Sequence, residues 1–185
     1  ASPTRSDEER VLLHSIRELG MLRDKHGLRR FAFADAVFND TEGRYWGIVE
    51  EIIRRKIKIS WTAFFRPRAF TASEVKALKD SGLRSVDWGT DCSTDQTLSR
   101  MGKDFTWKEV LACNRLFTAA GIDSMHHIIL GGPGEDRKTL SKGMRNISRL
   151  GNCAVSTCAG VRIFPGTRIH ELALKDGTVG AGDEL

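Results

Sequence analysis

The sequence predicts an α/β fold with a parallel sheet, either open and doubly wound or curled into a barrel. Segments with helical periodicity alternate with short apolar, β-rich segments along the chain. The links between successive β segments are long enough to hold a helix, as right-handed βαβ units require. With 185 residues, 40% of them apolar, the chain can bury one sizeable core, so we expect a single domain over residues 1–185.

The elements can be placed in order from periodicity and from end signals. The first helix is expected at Ser6–His26, with Ser6 as its N-cap and Gly27 ending it. Further helices are expected at Tyr45–Ile53, Ala72–Ser81, Thr94–Arg100, Val110–Ala120, Leu140–Leu150 and Arg168–Lys175. Strands are expected at Arg30–Ala34, Ile57–Phe65, Ser85–Trp88, His126–Leu130 and Val155–Phe164. Because a helix comes first and five strands fall short of a full barrel, we expect one missing strand upstream of residue 1.

Composition argues against several classes of protein. The net charge of +5 comes from Lys and Arg side chains that are scattered among acids, which argues against a nucleic-acid partner. No apolar run is long enough for a transmembrane segment and the N-terminus is polar, so a cytoplasmic location is expected. The four cysteines form no CxxC pair. We therefore expect reduced thiols, no disulfide framework and no metal ligands in this chain.

Polar or glycine-rich residues follow every predicted strand. They are Asp35 and Asn39, Arg66 and Arg68, Thr90–Ser93, Gly131–Glu135, and Pro165–Thr167. Each group alone has a simpler explanation, since Asp35, Asn39, Asp91 or Ser93 could cap the next helix and Gly-Pro-Gly is a common turn. Because the carboxyl ends of parallel strands share one rim, the groups together predict a ligand site there.

The glycine-rich loop and the two histidines of the fourth predicted strand each have a simpler structural explanation. The Gly131–Glu135 loop fails the P-loop pattern, because Arg137 stands where glycine is needed, but its bare backbone can approach a flat ring or a ribose. His126 and His127 must point to opposite faces of a strand, and a packed or hydrogen-bonded role is favoured over a ligand role.

Five short sequence motifs, each at the end of a predicted strand, resemble motifs of the cobalamin-binding branch of the radical S-adenosylmethionine superfamily. They are Phe33–Asn39, Trp61–Pro67, Trp88–Cys92 with Met101–Lys103, His127–Glu135, and Ile163–Thr167. The resemblance implies a partial, TIM-like (β/α)6 barrel in which a 4Fe-4S cluster reductively cleaves S-adenosylmethionine to a 5′-deoxyadenosyl radical. It also implies a reductant protein such as flavodoxin or ferredoxin, and cobalamin as a further cofactor.

The resemblance also implies a set of cofactor-binding residues. Asp35 would contact the methionine amino group of S-adenosylmethionine, and Arg66 and Asp91 its carboxylate or ribose. The loop from Ile129 to Glu135 would line the adenine, and Cys92 stands where the family commonly has serine. The full set is Asp35, Asn39, Arg66, Asp91, Cys92, Ile129, Gly131, Gly132, Pro133, Gly134 and Glu135. No catalytic residue is assigned.

The family's cluster-binding cysteine motif, CxxxCxxC, does not occur in the chain. Either the motif, with any cobalamin-binding domain, lies upstream of residue 1, as we expect, so that this chain alone is inactive, or the chain is a relative that has lost the cluster. The implied reaction is methylation or modification of a lipid or natural product. The alternative is a non-catalytic module that binds a nucleoside or a protein; such a module should be a compact monomer alone, whereas a barrel fragment with an exposed strand edge should self-associate. A barrel enzyme of another chemistry is disfavoured, because no rim position offers a nucleophile with a paired base.

Overall fold

A computed structural model describes residues 5–180 and 182, with side chains from residue 13 onward. In this part of the chain, five parallel strands pair in sequence order to form one sheet. The strands are β1 (Arg30–Phe33), β2 (Ser60–Phe65), β3 (Leu83–Asp91), β4 (Asp123–Leu130) and β5 (Ala154–Ala159). The helices are α1 (Arg5–His26), α2 (Tyr45–Arg54), α3 (Ala72–Asp80), α4 (Asp95–Arg100), α5 (Trp107–Ala119), α6 (Arg137–Ile147) and α7 (Arg168–Lys175). The predicted α/β class and the all-parallel sheet are confirmed.

The two faces of the sheet differ in burial. On β2, Trp61 and Phe65 are buried in a core that also contains side chains of α1, α2, α3 and α5, whereas Phe64 between them is 44% exposed. A second cluster joins β4 to α4, α5 and α6. The opposite face, here called the inner face, carries partly exposed side chains. Its members on the three central strands are Thr62, Phe64, Ser85, Asp87, Met125, His127 and Ile129. Packing against one face favours a partial barrel over a doubly wound sheet, which is covered on both faces.

Five of the described helices begin with a side-chain N-cap. Thr71, Thr94, Thr106, Asp136 and Thr167 each accept a hydrogen bond from the backbone N–H three residues later. Thr94, not Asp91 or Ser93, is therefore the cap of α4. At α2 neither Asp35 nor Asn39 acts as a cap; instead the Asp40 carboxylate accepts hydrogen bonds from the backbone N–H groups of Glu42, Arg44 and Tyr45, the last of which is the first residue of the helix. The predicted Ser6 cap lies among residues whose side chains are not described.

Two predicted strands are too long. Ile57 and Ile59 are buried, but the sheet ladder begins only at Ser60. Gly160 has φ +89° and ends β5, so the residues predicted to extend that strand to Phe164 form a loop. The buried Ile57 and Ile59 and the half-buried Val161 and Ile163 alternate with more exposed residues without belonging to a strand, and periodicity alone does not separate this situation from a paired strand.

Strand β1 lies at an edge of the sheet and pairs, among the described residues, with β2 alone. Its aromatic side chains Phe31 and Phe33 are partly buried against the core. None of the described helices is both long and apolar enough to cross a membrane.

Candidate functional site

The predicted site residues follow the carboxyl ends of β1 to β4, which parallel pairing brings to one edge of the sheet. This edge is where parallel α/β proteins place their ligands, because the loops that follow the strands converge there. We call this edge the rim. The individual residues differ in whether their polar atoms are free for a ligand.

Asp35 lies two residues after β1 and is exposed. Its carboxylate has no hydrogen bond or ion pair with any residue that the structure describes. A carboxylate without an internal partner at a ligand-binding edge is available to accept hydrogen bonds from an ammonium group. The implied contact with the amino group of S-adenosylmethionine fits this placement and stays a prediction.

Asn39 connects two loops of the rim. Its side chain is 1% exposed. The amide nitrogen donates to the Arg66 carbonyl at 2.9 Å, and the amide oxygen accepts from the Arg66 N–H at 2.8 Å. The Asn39 side-chain amide therefore pairs with the Arg66 backbone as a neighbouring strand would, and it holds Arg66 in position. Direct contact of Asn39 with a cofactor remains a prediction that this geometry does not support.

Arg66 itself is half-buried, and its guanidinium forms an ion pair with the exposed Asp104 at 2.5 Å. An ion pair with one exposed partner stabilises little, so the guanidinium can exchange Asp104 for an anionic ligand at small cost. A cavity of about 440 Å³ lies beside it, lined by residues that include Asn39, Arg66, Tyr45 and Glu74. This arrangement is compatible with the predicted contact to a carboxylate or ribose.

Asp91 ends β3 with a positive φ of 56°, which is uncommon for a residue with a side chain. Its carboxylate forms an ion pair with Lys103. The adjacent Cys92 turns the other way and packs in the second core cluster, where it is 3% exposed. Burial raises the pKa of its thiol to about 11, so the group is a neutral thiol at physiological pH. The structure thus places Asp91 at the rim and Cys92 in the core, and contact of Cys92 with a cofactor is unsupported.

The Gly131–Glu135 loop is shaped by its own glutamate. The Glu135 carboxylate accepts a hydrogen bond from the Gly131 N–H at 2.5 Å, which closes the loop. Gly134 has φ +72°, a backbone conformation that favours glycine, and the Arg100 guanidinium covers it. Ile129, half-buried on the inner face, leads into the loop.

A cavity of about 500 Å³ opens between this loop, the end of α4 and helix α7. Its size is within the range of small-molecule sites. It is lined by Pro133, Gly134, Met101 and Gly102, which belong to the sequence motifs quoted above. The other lining residues were not indicated by the sequence; they are Ser99, Arg100, Arg168, Ile169, Leu172 and Asp176. The periodicity of the chain does not predict that α7 lies beside this loop.

The two consecutive histidines of β4 have different environments, as strand alternation predicted. His126 is 0% exposed, with Nδ1 2.9 Å from the Thr90 hydroxyl and Nε2 3.2 Å from the Asn114 side-chain oxygen. His127 lies on the inner face, with Nε2 3.2 Å from a carboxylate oxygen of Asp87. The packed, hydrogen-bonded role is confirmed for His126. The Asp87–His127 pair was not predicted, although the alternation of Asp87 with Val86 and Trp88 was the available signal.

Comparison with known proteins gives a consistent picture of the fold. TsrM from Kitasatospora setae, a radical S-adenosylmethionine methyltransferase solved with cobalamin and a 4Fe-4S cluster, matches 89% of this chain with a TM-score of 0.80 and 22% identity. The radical enzyme coproporphyrinogen III oxidase of Escherichia coli matches 86% of the chain with a TM-score of 0.65 and 10% identity. The chain has the radical S-adenosylmethionine barrel fold.

This radical S-adenosylmethionine barrel is also related in sequence to an uncharacterized methyltransferase of Pyrococcus horikoshii, with 28% identity over 160 residues. No family model matches the chain. The barrel segment spans 34% of that relative and 34% of TsrM, or about a third of each. The resemblance indicated by the five sequence motifs is therefore confirmed at the level of the fold.

The cysteines of this barrel do not suit a 4Fe-4S cluster. Cys92 and Cys113 are buried, and burial raises the pKa of the Cys113 thiol to about 12. Cys153 and Cys158 lie on β5 or directly before it. Among the described residues, no group of three or more His, Cys, Asp and Glu side chains could hold a metal ion. A cluster needs three converging thiolates, so its ligands would have to come from outside this segment.

Proposed function

We propose that the complete protein containing this chain is a radical S-adenosylmethionine enzyme that methylates or otherwise modifies a small-molecule or lipid substrate. The observation that carries the proposal is the match of 89% of the chain to TsrM at a TM-score of 0.80. The methyltransferase relative from Pyrococcus horikoshii supports methyl transfer. TsrM has been solved with its tryptophan substrate and an analog of S-adenosylmethionine, which supports a small-molecule substrate.

In this proposal the rim residues bind S-adenosylmethionine. Asp35 accepts hydrogen bonds from the amino group, and Arg66, positioned by Asn39, pairs with the carboxylate. Asp91, held by Lys103, accepts a hydrogen bond from the ribose. The Gly131–Glu135 loop presents bare backbone to the adenine. Each of these roles matches the charge and exposure of its side chain or loop.

The remaining components lie outside this segment. One-electron reduction of bound S-adenosylmethionine would break its C5′–S bond and supply a 5′-deoxyadenosyl radical together with methionine. We propose that residues beyond this chain hold the 4Fe-4S cluster and cobalamin, and that flavodoxin or ferredoxin delivers the electron in the cytoplasm. The barrel segment alone is then inactive, because it holds no thiolate triad.

The direct test is release of 5′-deoxyadenosine by the complete reading frame that contains this chain. The protein is reconstituted anaerobically with iron and sulfide, then given S-adenosylmethionine and a strong reductant. We expect release that depends on the cluster. If folded protein with an intact cluster binds S-adenosylmethionine but releases nothing, the radical reaction is excluded and the nucleoside-binding alternative is favoured.

Replacing Asp35 by alanine should weaken binding of S-adenosylmethionine by about tenfold, since one charge-assisted hydrogen bond is lost. Thermal stability should be unchanged, because Asp35 is exposed and has no bond to another described residue. Isothermal titration calorimetry on the complete protein measures the dissociation constant. The matched control is Asp80→Ala, which removes an exposed carboxylate at the end of α3 and should leave affinity unaltered. Equal affinities for Asp35→Ala and wild type would refute the assigned contact.

A further inference from the structure

We propose that Asp87, His127 and Phe64 form a substrate-binding site on the inner face for a flat group that carries an N–H or O–H donor. This inference deepens the proposed function, because it concerns the substrate of the same barrel. It uses side chains other than the rim residues assigned to S-adenosylmethionine. The three residues lie on the adjacent strands β2, β3 and β4, in the middle of the five-stranded sheet.

The tautomer of His127 follows from its partner. The Asp87 carboxylate oxygen lies 3.2 Å from Nε2, and a carboxylate accepts hydrogen bonds, so Nε2 is the nitrogen that carries the proton. In the neutral ring Nδ1 is then an acceptor. No residue among those described bonds to this Nδ1. The pair therefore presents an oriented acceptor that an N–H or O–H of a ligand can satisfy.

Phe64 provides the flat apolar surface next to this acceptor. Its ring centroid lies 5.8 Å from that of His127, with the planes inclined by 37°. The side chain is 44% exposed, although its neighbours Ala63 and Phe65 are almost completely buried. A large aromatic side chain left open on a sheet face beside a polar pair is typical of a site that a ligand covers.

Structural roles account for the neighbouring polar residues but not for this pair. His126 is tied by both ring nitrogens to Thr90 and Asn114, and the Ser85 hydroxyl donates to Thr62 at 3.0 Å. His127 has one bonded nitrogen, is half-buried and belongs to neither core cluster. A single partly exposed hydrogen bond between Asp87 and His127 would stabilise the fold little. Ligand recognition is the role that its position and its open acceptor fit.

The test compares two probes that differ in one hydrogen-bond donor. Indole presents a flat ring with an N–H, and 1-methylindole presents nearly the same ring without it. Their dissociation constants are measured by saturation-transfer NMR on the complete protein. We expect wild type to prefer indole by about fivefold, the effect of one net hydrogen bond. His127→Phe keeps a ring in place and should bring this ratio to about one. His26→Phe, at the far end of α1, is the matched control and should leave the ratio unchanged.

Two more variants separate the parts of the site. Phe64→Ala should weaken both probes while the ratio is kept, because the apolar surface is lost and the acceptor remains. Asp87→Leu should lower the ratio, because nothing then fixes the proton on Nε2. A wild-type ratio of one, or a ratio that survives His127→Phe, overturns the inference. The same preparations are assayed for 5′-deoxyadenosine: release without discrimination between the probes refutes the substrate site alone, and discrimination without release refutes the radical reaction alone.

Discussion

Replacing Gly82 by alanine should destabilise the barrel by about 4 kcal/mol, among the largest effects expected of a single substitution. Gly82 has φ +102°, and an added Cβ would lie 2.1 Å from the carbonyl oxygen of Ile59. The obstacle is backbone, which cannot swing aside as a side chain can. Relief would require displacing the Gly82 carbonyl, which accepts the Trp61 N–H at the start of β2. Urea denaturation followed by tryptophan fluorescence measures the loss.

Gly102→Ala is the matched control for this prediction. Gly102 also has a positive φ, +73°, but nothing lies within 4 Å of an added Cβ. Only the conformational penalty of about 1 kcal/mol remains. If Gly82→Ala and Gly102→Ala lower the free energy of unfolding equally, the clash with the Ile59 carbonyl does not destabilise the fold.

Acidification should destabilise the barrel through His126. Burial, with a smaller contribution from the neighbouring His127, lowers the pKa of His126 from 6.5 to about 4. The unfolded chain therefore binds a proton at higher pH than the folded chain does. Stability from this residue is fully present above pH 6.5 and is lost as the pH falls from about 6.5 to 4. The size of the loss is about 3 kcal/mol, and below pH 4 it stops growing.

The variant that isolates this effect is His126→Met, which fills a similar volume and cannot titrate. Between pH 7 and pH 4, wild type should lose about 3 kcal/mol more free energy of unfolding than this variant. At pH 7 the variant should already be less stable, because Thr90 and Asn114 lose their partner. His127→Phe changes the adjacent residue on the other face and should keep most of the wild-type pH dependence. If the free energy of unfolding changes with pH equally in wild type and His126→Met, His126 does not take up a proton on unfolding.

Local signals in the sequence were sufficient for most of the fold. The glycine expected to end the first helix, Gly27, has a positive φ and follows α1. The predicted starts of α5 and α6, Val110 and Leu140, lie three residues late, because the caps Thr106 and Asp136 were not recognised. The strand ends were less predictable. Ile57 and Ile59 look like strand residues because they are apolar and alternate, yet they are buried by tertiary packing before the ladder begins. Alternating apolar residues indicate which side chains are buried. They do not indicate whether the backbone pairs, because pairing depends on a neighbouring strand that is distant in sequence.

The candidate site was predictable in position and less so in detail. Parallel topology alone brings Asp35, Arg66 and Asp91 to one rim. Whether a polar group is free depends on contacts distant in sequence: Asn39 is occupied by the Arg66 backbone 27 positions away. The inner-face pair depends on contacts more distant still, since Asp87 and His127 are 40 positions apart and meet only through the register of β3 on β4.

Strand β4 contains two consecutive histidines followed by two consecutive isoleucines, and this pattern affects how its register is chosen. His126, His127, Ile128 and Ile129 place one histidine and one isoleucine on each face. Sliding β4 by one residue would exchange the members of each pair and present the same chemistry to both sides, so these four side chains do not select their own register. The choice must come from asymmetric partners. Ser124 accepts the indole N–H of Trp88 at 3.2 Å, and Asn114 of α5 bonds the buried imidazole. The register of β4 is therefore fixed by Trp88 of β3 and Asn114 of α5, which lie outside the strand.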